Sequence, residues 1–311
     1  MSAVWTIARK ETRTAVRNSM FVTITVLFLG LSVLSAYIGS TTKHAEMRIY
    51  NETVAKLTVQ GVTQLPPKPE IHALTMLGNL TEYVAIVGAI LSVMLGYDAI
   101  TRERESGGLQ LILTRPVFRD RLITGKLLGN GLVIAMLLGI VFVFNLALLF
   151  LVGHAVPTFG EIARVALFIV AAFAYMMVFL ITSMLLSINM KSSASVFLVS
   201  LVLWMTSAFV LPQMAQTLMA NSTVVNSVSG ATNQIPQDTA VSRAIDLLSP
   251  TWHLRSIGGK LLEVTPGSAA LSSAALSTEF LKSLFALLVP CIVLGALMYA
   301  SFLRSESLTV E

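Results

Sequence analysis

Six stretches of this sequence carry almost no charge: Met20 to Gly39, Leu80 to Tyr97, Leu127 to Gly153, Val165 to Ile188, Ala194 to Leu211 and Leu284 to Leu303. They run from 18 to 27 residues, enough for a helix to cross about 30 Å of hydrocarbon. A chain that is 55% hydrophobic and only 12% charged lies far from the soluble globular range. One collapsed soluble core is therefore excluded, and the expected fold is an all-α membrane protein with six transmembrane helices.

Lys and Arg beside the spans set the orientation, because they are retained on the cytoplasmic side. Arg9, Lys10, Arg13 and Arg17 precede the first span; Arg102, Arg104, Arg115, Arg119, Arg121 and Lys126 follow the second. Lys191 and Arg304 agree, and the opposite loop from His154 to Glu161 has neither residue type. Both termini are expected in the cytoplasm, with the chain multi-pass in the cell (plasma or inner) membrane. The first apolar run is longer than a secretory h-region, so it reads as a retained span. Residues 1–18 form an interfacial helix on this reading and 19–311 the six-span domain, with a coupling loop at 98–126.

Two outer segments follow, 40–77 and 213–282. Pro66, Pro67 and Pro69 break any helix in the first, which is read as a helical or irregular excursion. In the second, the Ser, Thr, Asn and Val run from Asn221 to Asn233 is expected to be a loop. Val241, Ala244, Ile245 and Leu248, then Pro250, Trp252, Leu254, Ile257 and Leu261, have helical spacing in pieces too short to span. They are expected to be external re-entrant or interfacial helices with Trp252 at headgroup level, or else a small external cap. Asn51, Asn79 and Asn221 head sequons, a weak pattern.

What the spans lack narrows function. Glu82 sits at the lip of the second span and Asn145 is the one strongly polar side chain deep in the third. A proton-coupled carrier needs a group that titrates inside the membrane, and none is visible; sodium binding through carbonyls and hydroxyls is left open. No ring of like charge is available for a channel filter. Cys291 is the single cysteine, which forbids a disulfide or thiolate zinc cluster within the chain. The four histidines form no zinc helix, and neither Gly125-Lys126 nor Gly259-Lys260 completes a phosphate loop. No catalytic residue, metal site or cofactor is therefore expected in this chain. The net charge of +5 comes from basic residues beside apolar blocks with no aromatic stacking partners, so the lipid bilayer and not nucleic acid is the expected counterion.

Two cytoplasmic constellations remain. In a helical projection Arg9, Lys10, Arg13 and Arg17 share one arc, with Val4, Trp5, Ile7, Ala8, Ala15 and Val16 around the other side, the pattern of a surface helix. Glu11 falls on the apolar side; a basic partner from another segment or a watery edge would accommodate it. After the second span, Asp98 to Glu105 is alternately charged, Gly107-Gly108 permits a sharp turn, and Leu109, Leu111, Ile112 and Leu113 follow up to Pro116. This reads either as a knob that a soluble partner grips or as a positive-inside loop whose leucines lie back on the membrane.

The run Asp98, Arg102-Glu103-Arg104-Glu105, Gly107-Gly108-Leu109, Leu113, Arg115-Pro116, Arg119 and Gly125-Lys126-Leu127 resembles the signature of ABC-2-type transporter permeases. Ile7-Ala8-Arg9-Lys10-Glu11, Lys191-Ser192-Ser193 and Leu248-Ser249-Pro250 match further elements, and within the family the chain is most similar to NosY-like permeases. The resemblance implies a dimer of six-span subunits, here a homodimer. Each would be served by a separate cytoplasmic ABC ATPase that holds ATP and Mg. It implies a cytoplasmic coupling helix docking on that ATPase through Glu103, Arg104, Glu105, Gly107, Gly108, Leu109, Leu111, Arg115 and Pro116. An N-terminal interfacial helix bearing Trp5, Arg9, Lys10, Glu11, Arg13 and Arg17 adds a second contact, and re-entrant helices at Pro250 and Trp252 close an outer gate. Transport, with export as its direction, is the implied function; the long outer segments leave room for an extracytoplasmic protein, and for a mechanical transmitter that reshapes it without flux.

Overall fold

A computed structural model describes residues 3–60, 66, 74, 77–97, 99–105, 119–151, 158–225, 232–262 and 278–304. Helix α1 (Ala3–Arg17) and helix α2 (Ser19–Val59) meet at Asn18, whose side chain accepts from the Met20 and Phe21 amides and caps α2. The second span is built in pieces: α3 (Leu80–Tyr83), a π turn (Val84–Gly88) and α4 (Ala89–Gly96), followed by short α5 (Thr101–Glu105). Helices α6 (Arg119–Leu151) and α7 (Phe159–Asn189) come next, then α8 (Ser193–Met205), a second π turn (Thr206–Val210) and α9 (Leu211–Thr217). An antiparallel hairpin, β1 (Ala220–Val225) with β2 (Thr232–Gln237), leads to α10 (Ala240–Leu247), α11 (Pro250–Leu262) and α12 (Thr278–Arg304).

Among the described residues six helices are long and apolar enough to cross a membrane, and they coincide with the six expected spans. The chain is an all-α membrane protein, with one β-hairpin among the described residues. That hairpin corrects the expected loop: Ala220 pairs with Gln237 and Val225 with Thr232, and the β-branched Thr223, Val224 and Val225 suit a pleated strand. Helix α2 continues past its apolar part to Val59 and stops before the proline cluster; Tyr50 Oη donates to the Pro66 carbonyl.

Helix α7 is the axis of the bundle, packing on α4, α6, α8, α11 and α12. Phe168, Tyr175, Met176, Leu180 and Met184 along it are fully buried. Close approach explains the glycines beside it: a Cβ on Gly96 would come within 2.7 Å of the Leu180 carbonyl oxygen. The bundle has two chemically distinct ends, one formed by α1, α5 and the α7–α8 turn, the other by α3, α10 and α11.

Candidate coupling site

At the α1 end, helix α1 runs along the start of α6. Ile7 lies over Gly125, while Ala8 and Glu11 lie over Gly129; Cβ atoms there would approach Ile7 Cβ and the Ala8 carbonyl oxygen within 2.8 and 2.7 Å. Thr12 Oγ1 donates to the Gly129 carbonyl at 3.2 Å. This GxxxG spacing lets two backbones meet, and it places the next side chain, Lys126, beneath α1.

Lys126 is only 2% exposed. Burying an ammonium alone costs several kcal/mol, so the chain must supply counter-charge. Its Nζ donates to Glu11 Oε1 at 2.9 Å and to Glu103 Oε1 at 3.0 Å. Lys10 Nζ reaches the same Glu103 oxygen at 3.1 Å. Two lysines and two glutamates thus form a neutral cluster that joins α1, α5 and α6, against a cavity of about 280 Å³ also lined by Arg102 and Asn130.

The rest of α5 is tied the other way. Arg104 Nη1 and Nη2 donate to the Met190 and Ile188 carbonyls at 2.9 and 3.0 Å, closing the end of α7. Glu105 Oε1 accepts from the Ser193 amide at 3.0 Å, at the start of α8, where the N-cap Ser192 makes no side-chain cap of its own. The dipoles of both helix ends favour these signs of charge. Ser187 Oγ accepts from the Ile100 and Thr101 amides at 2.9 and 3.1 Å, and Ser193 Oγ bonds Thr101 Oγ1 at 2.8 Å. One turn of helix therefore holds α1, α6, α7 and α8 together.

The opposite end uses neutral groups. A π turn misaligns the helical ladder and frees carbonyls: Ala85 O accepts from Tyr175 Oη at 2.7 Å and Trp204 Nε1 at 3.2 Å. In the second π turn Ser207 O accepts from Ser249 Oγ at 2.7 Å. Thr251 Oγ1 lies 3.3 Å from Tyr175 Oη. At about 1.5 Å per residue, Tyr175 sits about 21 Å along α7 from Asn189 and about 24 Å from Phe159. Helix α11 therefore enters the bundle beside the middle of α7 and is not a cap resting on it. Its charged contact is Arg255, whose Nε and Nη2 donate to the two Glu82 oxygens at 2.8 Å each.

The six long apolar helices among the described residues agree with the family comparison. Residues 5–307 match the family of ABC-2 family transporter proteins. The chain belongs to the ABC-2 transporter family. Over 136 residues it is 35% identical to the probable ABC transporter permease protein NosY of Pseudomonas aeruginosa, a match taking in 44% of this chain and 42% of that protein. It is 31% identical over 136 residues to the protein of the same name from Stutzerimonas stutzeri, taking in 44% of this chain and 41% of the relative. The matched stretch thus spans less than half of these curated relatives.

Within this ABC-2 membrane subunit the expected site residues separate. Glu103, Arg104 and Glu105, read from the sequence as facing a partner, are each bonded to the chain's own helices. Gly107, Gly108, Leu109, Leu111, Arg115 and Pro116 lie outside the described residues. On α1, Lys10 and Glu11 belong to the ion cluster, and the open question of Glu11 is answered by Lys126. Arg9, Arg13, Arg17 and Trp5 are exposed. Pro250 opens α11, and the half-buried Trp252 packs edge-on against His253 with centroids 5.0 Å apart. Sequence reasoning missed Tyr175, Thr251 and the two π turns. Tyr175 in an otherwise apolar span was the available signal, since a buried hydroxyl requires a partner.

Proposed function

We propose that this chain is the membrane-spanning permease subunit of an ABC exporter, driven by ATP that a separate cytoplasmic ATPase hydrolyses with Mg. The observation that carries this reading is α5. It stands at the base of 106–118, and its Glu103, Arg104 and Glu105 grip α1 and α6, α7, and α8 respectively. A force applied to 106–118 would reach four helices through charge-assisted bonds, the stronger class of hydrogen bond. The ATPase grips 106–118, while Glu103, Arg104 and Glu105 pass the force on to the helices. The α1 end faces the cytoplasm, in keeping with its basic residues. Two copies of the chain assemble as a homodimer. At the other end, α10 and α11 with Pro250 and Trp252 act as the outer gate.

The experiment is co-purification of the full chain with its ATPase, followed by reconstitution in vesicles and a screen for ATP-dependent solute movement. Stimulated hydrolysis with flux is expected. A complex without a nucleotide-hydrolysing subunit would refute the reading. A second reading is favoured by one feature: α2 and the hairpin extend beyond the spans at the α11 end, offering a platform to an extracytoplasmic protein. On that reading the subunit is a mechanical transmitter, and hydrolysis would proceed with no solute flux.

A further inference from the structure

The basic residues of α1 divide into two sets with different surroundings. Lys10 is engaged with Glu103. Among the described residues none pairs with Arg9, Arg13 or Arg17, which repeat every fourth position and so form one stripe along the flank of α1. That stripe, with Trp5, Thr12 and Val16, forms one wall of an open groove whose other wall is Leu132 and Met136 of α6. Val16 and Met136 also border a second, almost wholly apolar groove of about 190 Å³ running between α2 and α6, lined by Val22, Val26, Leu137 and Ile140. Thr25 Oγ1 in its wall is shielded and has no hydrogen-bond partner. The two grooves are continuous: three unpaired guanidiniums at one end and a slot between transmembrane helices at the other.

We propose that this continuous groove is a binding site for one anionic phospholipid, its phosphate held by Arg9, Arg13 and Arg17 and an acyl chain laid between α2 and α6. Charge selects the headgroup, since guanidiniums bind phosphate oxygens through paired N–H donors. The apolar arm selects a lipid over a soluble acidic protein, because Val22, Val26 and Ile140 belong to spans that a soluble partner cannot enter. Trp5, 49% exposed beside the stripe, is the amphipathic ring favoured at headgroup level.

Trp5 provides the readout. The full chain is placed in phosphatidylcholine vesicles containing a minority of phosphatidylglycerol, with either lipid brominated near its ester end, and Trp5→Phe supplies the background of Trp204 and Trp252. Phosphatidylglycerol is expected to quench Trp5 in preference to phosphatidylcholine. Each arginine removed should lower that preference by about fivefold, the equivalent of about 1 kcal/mol per basic residue near anionic lipid. Arg13→Gln tests this singly in case Arg9→Gln/Arg13→Gln/Arg17→Gln fails to insert. Met136→Phe, filling the junction of the two grooves without adding a tryptophan, should also reduce the preference. Equal quenching by both lipids in the wild type would overturn the proposal, as would an undiminished preference in Arg13→Gln. Loss of preference on adding inorganic phosphate at matched ionic strength would mark a free-anion site and overturn it too. Equal quenching combined with loss of ATPase binding in Arg13→Gln would assign the stripe to a protein partner instead.

Discussion

The two ends of the bundle solve the same problem, holding helices together around α7, with opposite chemistry. At the α1 end the joint is ionic: buried Lys126 between Glu11 and Glu103, Arg104 on two carbonyls, Glu105 on an amide. At the α11 end it is mostly neutral: hydroxyls and an indole on carbonyls freed by two π turns. Breaking one side of a buried ion pair costs about 3–5 kcal/mol, whereas a neutral hydrogen bond contributes about 1 kcal/mol net. The first end is therefore the more costly to take apart, and the second the less.

The largest effect is expected at Lys126. Lys126→Ala leaves two carboxylates facing each other and should cost about 3–5 kcal/mol, read as a lowered unfolding temperature of the purified chain. Combining Lys126→Met with Glu11→Gln and Glu103→Gln should recover most of that stability, because the one charge left over, on Lys10, is 61% exposed to solvent. If the triple variant were as unstable as Lys126→Ala, packing and not charge would hold this end. Next comes Gly129→Leu, whose Cβ meets the Ala8 carbonyl. It should cost about 1–3 kcal/mol by overpacking and make α1 accessible to proteases.

At the neutral end Tyr175→Phe should cost about 1 kcal/mol, since Trp204 still donates to the Ala85 carbonyl. A loss as large as that of Lys126→Ala would abolish the contrast between the ends. Smallest of all is Glu82→Gln. The Arg255–Glu82 pair is 33% and 46% exposed, and solvent screening limits such a pair to under about 1 kcal/mol; salt titration of the wild type should reproduce the small shift.

Much of this contrast was legible in residues, though unevenly. Length and apolarity alone marked the spans, because crossing hydrocarbon leaves a helix little freedom in composition. Glu11 on the apolar side of α1 announced a hidden partner, but its identity was not local: Lys126 lies more than a hundred residues on and looked like one more positive-inside residue. Glu103, Arg104 and Glu105 alternate in a short charged run, and in one helical turn they point to different neighbours, so no periodicity tells docking from internal bonding. The π turns at Val84 and Thr206 have no composition of their own; they follow from where Tyr175, Trp204 and Ser249 find acceptors. The hairpin was missed because a polar run of Ser, Thr and Asn outweighed its β-branched residues.

The central claim is that α5 transmits movement from 106–118 to the helices. Its most direct test is the ratio of solute flux to ATP hydrolysis in vesicles holding the full complex, compared between wild type and the triple variant Lys126→Met/Glu11→Gln/Glu103→Gln. The account predicts that the folded variant still hydrolyses ATP while flux per ATP falls at least tenfold. An unchanged ratio would contradict it.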